Sequence, residues 1–197
     1  MKRLFYSLQI LLLGILLDFS AIAQIRNHGN IYLEFSGGIP LLFDNQGQST
    51  NLRNIFSEWS HGEQLWGLGL CVSNAKANNH RLAIMYKQEN VMDSPANFKN
   101  FLLKYSYETT LVKGRNHLSY LGLLYGGGLG LETLQHSPNL ALNQEKIYPL
   151  LTIGLNLEKY LISQFGIFIR LDMDATTANI SQNIKANAQM GIKCKIR

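Results

Sequence analysis

The chain has 197 residues, a formal net charge of +5 and 46% hydrophobic side chains, which suits one domain with a sizeable core. Its lysines and arginines are scattered rather than gathered into a stripe, which argues against a nucleic-acid footprint, although mild basicity suits acidic lipid head groups. Past the N-terminus no apolar run approaches the roughly 20 residues of a transmembrane helix, so a membrane-embedded form must cross with strands.

Residues 1–23 follow the order of a secretory signal peptide. Lys2 and Arg3 form the positive n-region, Ile10 to Leu17 the apolar h-region, and Ala21-Ile22-Ala23 an A-x-A site ahead of Gln24. The apolar run ends at Asp18, short of a spanning helix, and no cysteine follows the site to carry a lipid anchor. Cleavage between Ala23 and Gln24 is expected, with residues 24–197 forming one exported domain.

From residue 30 onward the hydrophobic period is two. Phe101, Leu103, Tyr105, Tyr107, Thr109 and Leu111 alternate with Leu102, Lys104, Ser106, Glu108 and Thr110, the pattern of a strand with one apolar face. Residues 165–173 repeat it, with Ile167, Ile169 and Leu171 opposed by Phe168, Arg170 and Asp172. So do residues 184–197, where Met190, Ile192 and Cys194 oppose Gln189, Lys193 and Lys195. Weaker alternation marks 30–39, 65–73, 79–88, 117–131 and 147–157, for eight strands in all. Each is near or above the roughly 9–11 residues that a tilted strand needs to cross a bilayer.

The connections, 40–64, 74–78, 89–100, 112–116, 132–146, 158–164 and 174–183, alternate between long and short. Long extracellular loops and short periplasmic turns joining an even number of antiparallel strands are the pattern of an outer-membrane barrel. The expected fold is all-β, an eight-stranded antiparallel up-and-down transmembrane β-barrel with both termini in the periplasm. A soluble periplasmic lipocalin-like binding barrel shares the period with its apolar face turned inward. Three features favour the membrane form. The polar faces of the first, second and fifth strands are rich in small residues, as a narrow lumen requires. The apolar faces carry no charge, where Lys or Arg at the bilayer midplane costs about 2–4 kcal/mol. Trp66, Tyr86, Phe101, Tyr125, Tyr148 and Phe165 lie near strand ends, where interface girdles sit.

This face assignment turns Cys71 inward and Cys194 to lipid, so no disulfide joins them. The last strand carries the polar–x–Gly–x–x–apolar–x–apolar order of a barrel assembly signal in Gln189, Gly191, Cys194 and Ile196, with Arg197 where an aromatic is usual.

No catalytic constellation is visible, and no cofactor or metal is expected. The histidines at 28, 61, 80, 117 and 136 fall in loops or near strand ends without metal-ligand spacing. Ser60, His61 and Glu63 are the nearest approach to a hydrolase cluster, in the long first loop, where a solvated polar loop is the simpler reading. A lipid-modifying barrel hydrolase is the enzymatic alternative. Gly126-Gly127-Gly128 lacks the lysine and helix of a phosphate loop and suits a bend in a strand. Asp172 and Asp174 share the polar face of one strand and are expected to be solvated and balanced by Arg170. An eight-stranded barrel is filled by its own side chains or holds one small ligand, so function falls to loops, turns or partners.

Three stretches resemble the TraO-type conjugal transfer proteins of conjugative transposons: GLGLCVSNAKANNHRLAIMYKQE at 67–89, YGGGLGLETLQ at 125–135 and LNLEKYLISQFGIFIRLDM at 155–173. The resemblance implies a signal peptide, a glycine-rich outer-membrane β protein and an accessory role in a conjugative DNA-transfer apparatus. Its implied partners are outer-membrane lipid and other transfer proteins, with no direct nucleic-acid contact and no catalytic residues. The alternative within the same fold is a generic small outer-membrane barrel for adhesion or envelope stability.

Overall fold

A computed structural model describes Arg26 and residues 29–41, 64–74, 76–90, 96–114, 117–136, 144–176 and 184–197. Ala23 and Gln24, the expected cleavage site, lie outside the described residues, as do Ser60, His61 and Glu63. Eight strands follow one another: β1 (Ile31–Leu41), β2 (Gln64–Ser73), β3 (Asn79–Asn90), β4 (Ala96–Lys113), β5 (Ser119–His136), β6 (Gln144–Ile162), β7 (Phe165–Thr176) and β8 (Ile184–Lys195). Each pairs antiparallel with its sequence neighbours, and β1 pairs with β8, so the sheet closes into a barrel. Closure leaves no strand edge unpaired, which is what a sheet in lipid requires.

The period-two pattern decides which way each side chain points. Phe101, Leu103 and Tyr105 of β4 are about half exposed on the outer wall, whereas Leu102, Lys104 and Ser106 are buried within. Along β6, Ile147, Leu151, Ile153 and Leu155 face outward, between 47% and 72% exposed, and Tyr148, Leu150, Thr152 and Asn156 face inward. A soluble barrel would bury its apolar set. Here the apolar set coats the outside and the polar set fills the inside, so this is a transmembrane barrel and the lipocalin-like alternative is set aside.

Strand lengths depart from the sequence expectation at both ends. β4, β5 and β6 run well past 101–111, 117–131 and 147–157, and the 89–100 and 132–146 connections shrink to 91–95 and 137–143. β6 also runs on to Ile162, so the 158–164 connection shortens to 163–164. The alternation of long and short connections is therefore weaker than expected: 91–95 is no longer than the turns at 74–78 and 114–118. The reason is physical. Beyond the apolar belt both faces are polar, as in Lys99-Asn100, Glu132-Thr133 and Gln144-Glu145, so the hydrophobic period fades while the ladder continues, pairing Lys99 with Thr133 and Leu134 with Gln144.

Gly126-Gly127-Gly128 also differs from its expected bend. It lies inside β5 in unbroken register with β4 and β6, and the register irregularities fall at Thr110/Val112 and Tyr160/Ile162. A Cβ at Gly126 would run into the Tyr105 carbonyl and lie 2.6 Å from Ser106 Cα, so here glycine permits close approach of two backbones.

Gly29, Asn30 and Arg197 share one end, the turn end, with the β2–β3, β4–β5 and β6–β7 turns. Two of these turns are built alike. Ala77 and His117 each take a left-handed conformation, and each donates its backbone N–H three residues back, to Asn74 and Gly114. The segment before β1 is stitched to this end by Gly29 N–H bonded to Ser73 O at 2.9 Å.

Candidate functional site: a filled, charged lumen

The lumen is layered along the barrel axis. At the turn end Tyr32, Tyr120 and Tyr160 form an aromatic layer with Cys71, Ala77 and Leu118, all buried. Tyr160 packs at 5.9 Å from Tyr32 and edge-on at 6.0 Å from Tyr120. Arg26, from the segment preceding β1, enters this layer and is 1% exposed. Its guanidinium lies 2.6 Å from Glu108 and 2.7 Å from Glu158, donates to Ala77 O and Thr110 Oγ1 at 3.0 Å each, and stands 4.3 Å over the Tyr120 ring. Burial works against its charge, but Glu108 and Glu158 outweigh burial and raise its pKa well above the ordinary arginine value.

The next layer is ionic. Arg81 of β3 forks onto Glu34 of β1 at 2.7 and 3.1 Å and reaches Glu108 at 3.1 Å. Arg170 of β7 donates to Glu34 at 2.9 Å. Lys193 of β8 meets Glu158 at 3.0 Å and the Cys71 thiol at 3.2 Å. A second cluster, on β4, β7 and β8, joins Lys104 to Asp172 at 3.2 Å and to Asp174 at 2.7 Å, with Asn187 and Gln189 donating to the same carboxylates. Toward the other end Leu65, Ala83, Met85, Leu102, Tyr148 and Leu150 form an apolar layer, and Lys185 bonds Glu132 at 2.8 Å.

Every buried carboxylate among the described residues accepts from a cation. The arrangement follows from cost: an isolated ion is too expensive to bury, whereas a paired and hydrogen-bonded one is tolerated. Several pairs also crosslink strands far apart in sequence, such as Glu34 with Arg170 and Lys104 with Asp174, bracing the wall from inside. Among the described residues the interior is occupied by these packed and ion-paired side chains.

The structure sorts the sequence expectations residue by residue. Cys71 is buried in the lumen, Cys194 is on the outer wall, and both are free thiols. Asp172 and Asp174 do point into the lumen together, but they are buried rather than solvated, and Lys104, not Arg170, is their hydrogen-bonding cation. Arg170 bonds instead to Glu34 across the β8–β1 seam. Tyr148 is no girdle residue: it is buried and donates to Asn100 at 2.9 Å. Trp66, Tyr86 and Phe101 do sit on the outer wall toward the loop end, with Tyr86 and Phe101 rings 5.1 Å apart. His80 and His117 are exposed at the turn end, and His136 closes β5 at the other. Among the described residues no group of three or more His, Cys, Asp or Glu side chains is placed to hold a metal ion. The sequence flagged Asp172 and Asp174 but missed the network around Arg26, Glu34, Arg81, Glu108 and Glu158. The available signal was a set of charges on lumen-facing positions of five separate segments.

No family model matches the chain, and no curated protein matches it in sequence. Solved structures match in fold. The attachment invasion locus protein Ail of Yersinia pestis aligns with a TM-score of 0.53 at 11% identity, over 85% of this chain and 98% of its own. The N-terminal β-barrel domain of Pseudomonas aeruginosa OprF aligns with a TM-score of 0.53 at 13% identity, over 86% and 98%. Neisserial surface protein A aligns with a TM-score of 0.60 at 6% identity, over 84% and 97%. At such identities the likeness shows the eight-stranded barrel fold alone.

Proposed function

We propose that this protein is a non-enzymatic outer-membrane barrel, exported through its N-terminal signal peptide, that acts as a closed anchor and presents its loops and its turn end to partners. One observation carries the reading: the apolar faces coat the outer wall while ion pairs fill the lumen. Outer-membrane fractions extracted in mild detergent should contain a species that migrates differently boiled and unboiled. The extracted chain should begin at Gln24. A protein found soluble in the periplasm, with no such shift, overturns the reading.

Within that frame the sequence stretches at 67–89, 125–135 and 155–173 support a finer role, an accessory to a conjugative DNA-transfer apparatus in the manner of TraO-type proteins. Deletion of the gene should lower DNA transfer, with recovery on complementation by the intact gene. Unchanged transfer removes this role and leaves the generic one, a small barrel for adhesion or envelope stability. The likeness in fold to Ail, an attachment invasion locus protein, supports that alternative.

A further inference from the structure

The cradle around Arg26 belongs to the barrel, whereas Arg26 itself comes from outside the ladder. All three nitrogens of its guanidinium have an oxygen within 3.3 Å. Nη2 meets Glu108 and Glu158 at 2.6 and 2.7 Å, Nη1 donates to Ala77 O and Thr110 Oγ1 at 3.0 Å each, and Nε donates to Glu158 at 3.3 Å. A guanidinium offers five N–H groups in one plane, and five contacts answer them. The Tyr120 ring covers the cation at 4.3 Å. An ammonium, with three donors and no plane, cannot meet this set at once.

Each wall of the cradle is held by partners other than Arg26. Thr110 donates its hydroxyl to Ala77 O at 2.7 Å and its backbone N–H to Asn78 Oδ1 at 2.9 Å. The Tyr120 hydroxyl is tied to His117 O at 2.7 Å. Asn79 and Asn156 donate to Glu108 at 3.2 and 3.1 Å, and Tyr160 donates to Glu158 at 3.1 Å. Neither carboxylate loses its last cation when Arg26 leaves: Glu108 keeps Arg81 at 3.1 Å and Glu158 keeps Lys193 at 3.0 Å. The site is therefore formed in advance of its occupant, which lowers the cost of binding one. Arg26 lies before β1, in a segment bonded to the turn end by Gly29 N–H to Ser73 O at 2.9 Å. It is a ligand on a tether.

We propose that the turn-end mouth is a receptor for a guanidinium group, occupied in cis by Arg26 and open to exchange with the arginine side chain of a peptide that reaches this end. The proposal rests on the barrel reading above and names the chemistry of one partner for its turn end. Tethering gives Arg26 a high effective concentration, so a second chain gains the site only by competition. The segment before β1 then governs access.

The test uses the full mature chain folded in mild detergent, where the boiling shift reports closure separately. In R26A, propylguanidinium should raise the urea midpoint saturably at millimolar concentration. Propylammonium should bind about tenfold more weakly, having lost at least one charge-assisted hydrogen bond. T110V added to R26A should weaken propylguanidinium about fivefold while the boiling shift is kept. A capped Gly-Arg-Gly peptide should bind R26A more tightly than the wild-type chain, where Arg26 competes, and more tightly than Gly-Lys-Gly binds. If R26A shows no boiling shift, R26K takes its place in the peptide measurement, with the same order expected. A closed R26A barrel unmoved by propylguanidinium, an equal response to the two cations, or peptide binding no tighter in the variant than in wild type overturns the proposal. A wild-type chain without the boiling shift fails the barrel reading itself; a shift without guanidinium binding fails this proposal alone.

Discussion

Arg26 precedes the first strand, yet its guanidinium sits between a glutamate of β4 and a glutamate of β6. Arg26→Ala leaves that pair short of a cation in a site closed to water, so a loss of about 3 kcal/mol is expected, read as a lower urea midpoint in detergent. Arg26→Lys keeps the charge but not the fork that spans two carboxylates, and should fall between. A midpoint unmoved by Arg26→Ala would show that the segment before β1 does not occupy the mouth. Glycine tests the wall rather than the lumen. A methyl group at Gly126 meets the β4 backbone, so Gly126→Ala should cost about 1–3 kcal/mol. At Gly69 the same methyl finds contacts of 3.5 and 3.6 Å, ordinary packing, and Gly69→Ala should be nearly neutral. Equal losses at the two glycines would contradict the close approach of β4 and β5.

At the scale of the strand, the two faces answer to different solvents. Ile153, on the outer wall of β6 and 56% exposed, should tolerate arginine poorly. In vesicles Ile153→Arg is expected to cost about 2–4 kcal/mol near the midplane, whereas on a water-exposed wall it would change stability by less than about 0.5 kcal/mol. Urea unfolding of the vesicle-bound protein distinguishes the two. The alternation that makes this prediction was legible in the sequence because burial in lipid and burial in a narrow lumen both act residue by residue. It placed Cys71 and Cys194 on opposite faces and Asp172 with Asp174 in the lumen. Strand ends were not legible, since Lys99-Asn100 and Gln144-Glu145 extend the ladder without any hydrophobic period to announce it. Nor were the cross-lumen partners. Lys104 meets Asp174 through the relative stagger of β4 and β7, a property of closure that no single strand encodes.

For the whole molecule, closure depends on one long-range seam. Phe35 of β1 stands opposite Ile192 of β8 on the outer wall. With Cys71 and Cys194 replaced by serine, Phe35→Cys combined with Ile192→Cys should form a disulfide, because paired Cα atoms across a sheet fall within disulfide reach. The product should resist the boiling shift until reductant is added. Moving the second substitution to Met190→Cys should abolish the bond. No bond in the first pair under oxidation, or an equally ready one in the second, would argue against this register. The same closure makes the lumen network a late event, since Glu34 gains Arg170 and Lys193 only when the ends of the chain come together.

The pairing of β1 with β8 also sets a condition on synthesis. Every other pairing joins strands adjacent in sequence, but Ile31–Leu41 waits for the last strand to be made. A chain that stops before Ile184 can pair β2 to β6 on both sides and still presents two raw edges, on β1 and β7, to its surroundings. Closure is therefore conditional on the last strand: without Ile184–Lys195 the sheet keeps two open edges, each a template for pairing with another chain.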